Sequence, residues 1–339
     1  MVRRWLVWLL AAGGILALGL EAWGDAGWSP QTFVFASRVD GAALLETPDT
    51  YTDQMTALDR AARLKTDRAV SEAEFLHFAA DAVRPWTAEE RATLQQVIAK
   101  VAAALNGLHV PAPPRITLIK TSGKEEGEAA YTRGTAIVLP ELIDRDAADT
   151  LQWLLAHETF HVVSRLNPAL REQLYAAIGF VKVEPFPLPA EIAARIVSNP
   201  DGLDYDHFVR VTVDDEPVCA APVLMFKADR YDTTEGGAFF GQARNPFLVS
   251  RHIALRTDGV PNDLRVVPKN RIFGLHYRIG ENTSYTLHPD EILAENFALL
   301  ATGLKKPLSP RIIEKIRAVF ARNADPGATP APEAPPPCP

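Results

Sequence analysis

His157-Glu158-Thr159-Phe160-His161 lies in an apolar stretch in which Leu151, Leu154, Leu155 and Val162 recur at helical spacing. Asn167-Pro168 closes that stretch just past the second His, because the residue before a proline is disfavoured in the α conformation. On a helix, residues four apart stand one turn above each other, so both imidazoles project from one face and can hold one metal ion. Glu158, one step round, then sits beside the ion, where a general base must be to take a proton from a water on the metal. Zinc suits such donors, being borderline soft and content with nitrogen and oxygen ligands. Two satisfied, partly buried core histidines are the alternative reading of the same spacing.

Helical signals dominate the chain before this stretch. Thr50 to Arg63 carries Met55, Leu58 and Ala62 at near-helical spacing, after a short strand expected over Thr32 to Ala36. Ser71-Glu72-Ala73-Glu74 and Thr87-Ala88-Glu89-Glu90 both read as capping boxes, the second opening an amphipathic helix through Leu94, Val97, Ile98, Val101 and Leu105. Strand patterns follow Pro111 to Pro114, at Ile116 to Thr121 and Ala130 to Leu139. Between them Glu125, Glu126 and Glu128 read as a solvated acidic loop. After a helix over Ala169 to Phe180, residues 206 to 285 are rich in strand-like segments: Phe208 to Val213, Val218 to Ala228, Phe247 to Leu255 and Arg271 to Arg278. A helix with proline near its first position and acids in its first turn begins at about His288, and another follows Ser309-Pro310.

The ends of the chain speak to location. Arg3-Arg4 precede an almost wholly apolar run from Trp5 to Leu20, with small residues after it, which reads as a secretory signal cleaved after Gly24 or Ala26 or kept as an anchor. The body is therefore expected to be exported, periplasmic or secreted, touching a membrane only through such an anchor. A net charge of -7 with no basic run excludes nucleic acid as a partner, since phosphate binding needs a clustered positive field. Cys219 and Cys338 make no disulfide framework but could pair outside the cytosol.

Two histidines leave a catalytic metal one protein ligand short. Ser164 and Asn167 stand where an extended metzincin pattern would need Gly and His, so the third ligand must come from elsewhere. Glu291 and Glu295, four apart on the helix begun near His288, offer one; Glu191 is the main rival and Glu184 a weaker one. With H-E-x-x-H and Glu291-x-x-x-Glu295 together, the chain resembles the gluzincin (thermolysin-like) metallopeptidases. That resemblance implies Zn2+ on His157, His161 and Glu291, and Glu295 orienting His157. It implies an α+β, zincin-like domain over 27–324, helical at about 48–107 and motif-bearing at 111–324, with the strand-rich region as an insertion. A disordered Pro/Ala-rich tail would occupy 325–339. It also implies peptide hydrolysis with Glu158 as base, and a cleft-bordering strand that pairs with an extended substrate, for which Thr135 to Leu139 is the candidate. His276, Tyr277, Tyr285 and His288 are candidate oxyanion donors by type and by nearness to Glu291 in sequence. The alternative is a non-catalytic envelope binding or structural protein on the same scaffold.

Overall fold

Side-chain caps set the starts of the N-terminal helices in the computed structural model, which describes residues 27–141, 148–236, 239–253 and 259–325. After strand β1 (Phe33–Phe35), Ser37 caps α1 (Arg38–Glu46) by accepting from the Asp40 amide, and Asp49 caps α2 (Thr50–Gln54). The single helix expected from Thr50 to Arg63 is two. Thr56 accepts from the Asp59 amide, ending one helical path and opening α3 (Ala57–Arg63). Ser71 caps α4 (Glu72–Asp81), but the Glu74 side chain bonds Arg68 instead of returning to the cap. Beyond β2 (Val83–Arg84), Thr87 and Glu90 complete a reciprocal capping box on α5 (Ala88–Gly107). Thr87→Ala should therefore lower the stability by about 1 kcal/mol, read as a shift of the urea midpoint without change in slope.

A mixed sheet follows. It contains β3 (Ile116–Thr121), β4 (Tyr131–Arg133) and β5 (Ala136–Pro140) in the order β1-β3-β5-β4, with β2 also paired to β3. β1, β3 and β5 run parallel, while β4 is antiparallel to β5. The stretch Ala130 to Leu139 is thus a hairpin turned at Gly134, whose φ of 56° favours glycine. β5 is an inner strand, and the edge is β4, which corrects the expectation that placed the cleft edge at Thr135 to Leu139.

Next come α6 (Ala148–Leu166), α7 (Pro168–Ala177), β6 (Phe180–Lys182) and α8 (Ala190–Ala193). The strand-rich region supplies β7 (His207–Val213), β8 (Glu216–Pro222), β9 (Met225–Phe226), β10 (Ala243–Arg244), β11 (Phe247–Ser250) and β12 (Arg265–Val267). β12-β11-β8-β7-β6 form an antiparallel sheet, and β9 pairs with β10. Strand alternation divides its side chains: Val209, Val211 and Val213 join the main core, while Phe208 faces a second cluster with Cys219 and Leu248. Cys219 is buried and disulfide-bonded. Cys338 lies outside the described residues, as do 1–26, which carry the expected signal, and 326–339 of the expected tail.

The strand expected over Arg271 to Arg278 is instead a bridge at Phe273 followed by the short helix α9 (Leu275–Ile279), turned by Gly274 at a φ of 82°. α10 (Pro289–Thr302) and α11 (Pro310–Ala324) complete the α+β fold. α6 and α10 pack along each other, and Phe160 of α6, Phe297 of α10 and Phe320 of α11 stack with centroids 5.2 and 5.6 Å apart. Among the described residues no helix is long and apolar enough to cross a membrane.

Of the acids in the expected solvated loop only Glu128 is exposed. Glu125 and Glu126 are buried, and Glu126 accepts from Arg63 Nε at 3.0 Å and from the Tyr51 hydroxyl at 2.6 Å. A buried carboxylate needs such partners, and burying Arg63 beside it satisfies both.

Candidate metal centre

The helical repeat of α6 places His157 and His161 one turn apart with ring centroids 4.9 Å apart, and both are buried. Packing against α10 brings the first turn of that helix to them. Glu291 Oε2 lies 3.2 Å from His157 Nε2 and 3.4 Å from His161 Nε2. A tetrahedral ion with bonds of about 2.0–2.1 Å has ligand atoms roughly 3.3–3.4 Å apart, close to the distances from Glu291 Oε2 to the two imidazole nitrogens. His157, His161 and Glu291 form a buried group able to hold a metal.

Carboxylates stand behind both imidazoles. His157 Nδ1 is 3.2 Å from Glu295 Oε1, itself 3.4 Å from the Trp153 indole nitrogen. His161 Nδ1 is 2.7 Å from Asp290 Oδ2, and the other Asp290 oxygen accepts from the Ser164 and Tyr175 hydroxyls. With each Nδ1 held by a carboxylate, both Nε2 atoms are directed to the same point. Asn199 Nδ2 donates to Glu291 Oε1 at 2.8 Å, leaving Oε2 to face the histidines.

The charges agree with the geometry. Burial pulls the His157 pKa down, but its bonds to Glu291 and Glu295 outweigh this and push it up to about 9. Burial likewise opposes the rise of His161, which the charges of Asp201 and Glu291 and the bond to Asp290 carry well above the ordinary imidazole value. Glu291 is held well below the carboxylate range against its burial, chiefly by His161 and His157. A buried pocket that draws protons onto two imidazoles carries negative charge suited to a cation.

Glu158 is 3% exposed, and its Oε2 makes no hydrogen bond; nor does His161 Nε2. Burial, then the neighbouring Asp201 charge, raises the Glu158 pKa to about 8. Unmatched buried polar atoms are costly unless a further partner is intended for them. Both fit a bound ion and its solvent. A cavity of about 30 Å³ opens beside Glu291 and Asp201, lined also by Tyr131, Asn199 and Tyr285 among others, with room for one or two waters. On the Asp290 side of His161 a polar cavity of about 220 Å³ is bounded by Arg165, Arg171, Asp201, Asp204 and His207.

The other sequence candidates divide. Tyr285, 45% exposed, lines the small cavity, and the Glu291 charge followed by burial raises its pKa, keeping the hydroxyl protonated. His288 is not placed as an oxyanion donor: its Nδ1 accepts from the Asp290 amide to cap α10, and its Nε2 is 2.9 Å from the Asp204 carbonyl. His276 and Tyr277 lie exposed on α9, stacked on each other and lining neither cavity. Glu184 and Glu191 are exposed and outside the metal group, so α10 rather than α8 supplies its carboxylate.

Three residues escaped the sequence reading. Asp290 adjoins Glu291 and reads as a helix-start acid; Asn199 and Asp201 stand in Asn199-Pro200-Asp201-Gly202, a composition that signals a turn and nothing more. Comparison of the chain with family models, with curated proteins and with solved structures gives no match.

Proposed function

We propose that this protein is an exported zinc metallopeptidase, with Glu158 as general base and peptides or proteins as substrates. The convergence of His157 Nε2, His161 Nε2 and Glu291 Oε2 at 3.2 and 3.4 Å, on side chains oriented from behind by Glu295 and Asp290, carries the reading. Two imidazoles and a carboxylate match zinc's donor preference and leave one position open. Zn2+, when bound there, would supply a Lewis acid that acidifies a water and polarises a carbonyl. Glu158 takes the proton from the attacking water as its oxygen bonds to the carbonyl carbon. As the C–N bond breaks, Glu158 passes that proton to the leaving amine. Tyr285, which lines the small cavity and whose hydroxyl stays protonated, is the candidate donor to the developing oxyanion. Export rests on the Arg3-Arg4 and apolar leader pattern of the sequence.

Metal content tests the centre. The purified wild type should carry about one equivalent of zinc, lost or much weakened in His161→Ala and Glu291→Ala and kept in Glu191→Ala. Removing the metal should lower Tm, because an ion at 100 times its Kd stabilises the folded state by about 2.7 kcal/mol. A wild type that takes up no zinc on reconstitution sinks the proposal. The deep burial of the group also suits a non-catalytic centre. Such a centre would bind zinc equally and be indifferent to the loss of the Glu158 carboxylate.

A further inference from the structure

The turn at Asn199-Pro200-Asp201-Gly202 touches the centre on several sides at once. Asn199 bonds Glu291. Asp201 offers an oxygen that lies, with ligand atoms of Glu158 and His161, in a second group whose members are all within 4.8 Å of one another. Both of those residues carry an unmatched buried atom, Glu158 Oε2 and His161 Nε2. Asp201 also accepts from the main-chain N–H of Thr132 at 3.0 Å and from its hydroxyl. Thr132 is the middle residue of β4, the edge strand, and this N–H points away from β5.

The turn is built to stay there. Arg165 donates to the Pro200 carbonyl and to Thr132 Oγ1, each at 2.8 Å. Just upstream, the Ser198 amide and carbonyl are taken by Asp59 and Arg63. A Cβ on Gly202 would fall 2.4 Å from His288 Cγ, so glycine alone lets the turn lie against the start of α10.

We propose that Asp201 is a fourth protein ligand of the metal in the substrate-free protein, closing the position that the His157, His161 and Glu291 set leaves open. This rests on the metal-centre reading above. The same carboxylate then holds both things an extended substrate requires, the vacant metal position and the outward N–H of the edge strand. A substrate must displace Asp201 to be hydrolysed.

Cobalt substitution tests this without a turnover assay. The full-length protein is loaded with Co2+ in place of zinc, and its visible spectrum is followed while acetohydroxamate is added. The wild-type spectrum should barely respond. Asp201→Ala should show an altered cobalt spectrum and bind acetohydroxamate at least about tenfold more tightly, the gain expected when an incoming ligand no longer competes with a state populated nine parts in ten. Thr132→Val, which removes the hydroxyl's bonds to Asp201 and Arg165 but keeps the main-chain N–H to Asp201, should keep the wild-type spectrum. Superimposable cobalt spectra for wild type and Asp201→Ala overturn the assignment, as does a wild type that binds acetohydroxamate as readily as the variant. Should Asp201→Ala not fold, the wild-type titration alone decides: a strong response to acetohydroxamate overturns the assignment and a flat one upholds it. A wild type that takes up no Co2+ fails the metal centre itself, whereas one that takes it up with an open position fails only Asp201.

Discussion

Glu158→Gln is expected to keep its metal and lose hydrolysis of a fluorogenic peptide library by a factor of about 10² to 10⁴, the usual contribution of a positioned general base. The substitution preserves shape and leaves both imidazoles and Glu291 in place. It removes the carboxylate proposed to take and return the proton. The present carboxylate is buried, and burial and the Asp201 charge raise its pKa to about 8; a cation held by His157, His161 and Glu291 would lower it again toward the range a base needs at neutral pH. Metal content and Tm should match the wild type, so a rate loss cannot be ascribed to a lost ion or a loosened fold. Equal rates in variant and wild type would falsify the role of Glu158. No hydrolysis by either protein, with zinc retained in both, would favour the non-catalytic reading.

Arg63→Met should produce the largest loss of stability. The guanidinium is 1% exposed and bonds Asp59, both oxygens of Glu126 and the Ser198 carbonyl, while lying 4.6 Å over the Phe239 ring. Its removal leaves two buried carboxylates without their counter-ion. Breaking a buried pair from one side costs about 3–5 kcal/mol, whereas replacing both partners costs far less. Arg63→Met combined with Glu126→Gln should therefore recover part of the loss, measured by urea denaturation in a double-mutant cycle. A single variant within about 1 kcal/mol of wild type would mean that water reaches these carboxylates and replaces the lost partner.

This network also explains where the sequence misled. Glu126 reads as a solvated acid because nothing near it in the chain is its partner, and Arg63 is 63 residues away. Charge pairs of that separation leave no periodic trace. α6 was legible because its apolar spacing and its proline stop agree, and Glu291 with Glu295 because two acids four apart share a helix face. Asp290 was hidden by its position, where a helix-start acid needs no further explanation. Asp201 was hidden by its turn, which accounts locally for every residue in it. His288 misled by residue type: its imidazole is taken up in capping α10, which only the surrounding backbone reveals. The split at Thr56 and the helix after Gly274 are boundary effects, set by one cap and one left-handed glycine.

The two helices that carry the centre are joined by nothing short. His161 and Glu291 are 130 residues apart (291 − 161), and both five-stranded sheets and the helices α5, α6, α10 and α11 contribute to the core between and around them. During synthesis the histidines of α6 thus emerge long before their carboxylate, and a pair of imidazoles alone grips an ion weakly. A metal held by this group would therefore be captured late, once α10 docks and Phe297 seats on Phe160. Such an ion would be a seal on a finished fold rather than a seed for it, and the compartment in which α10 docks would be the one whose metal supply the protein meets.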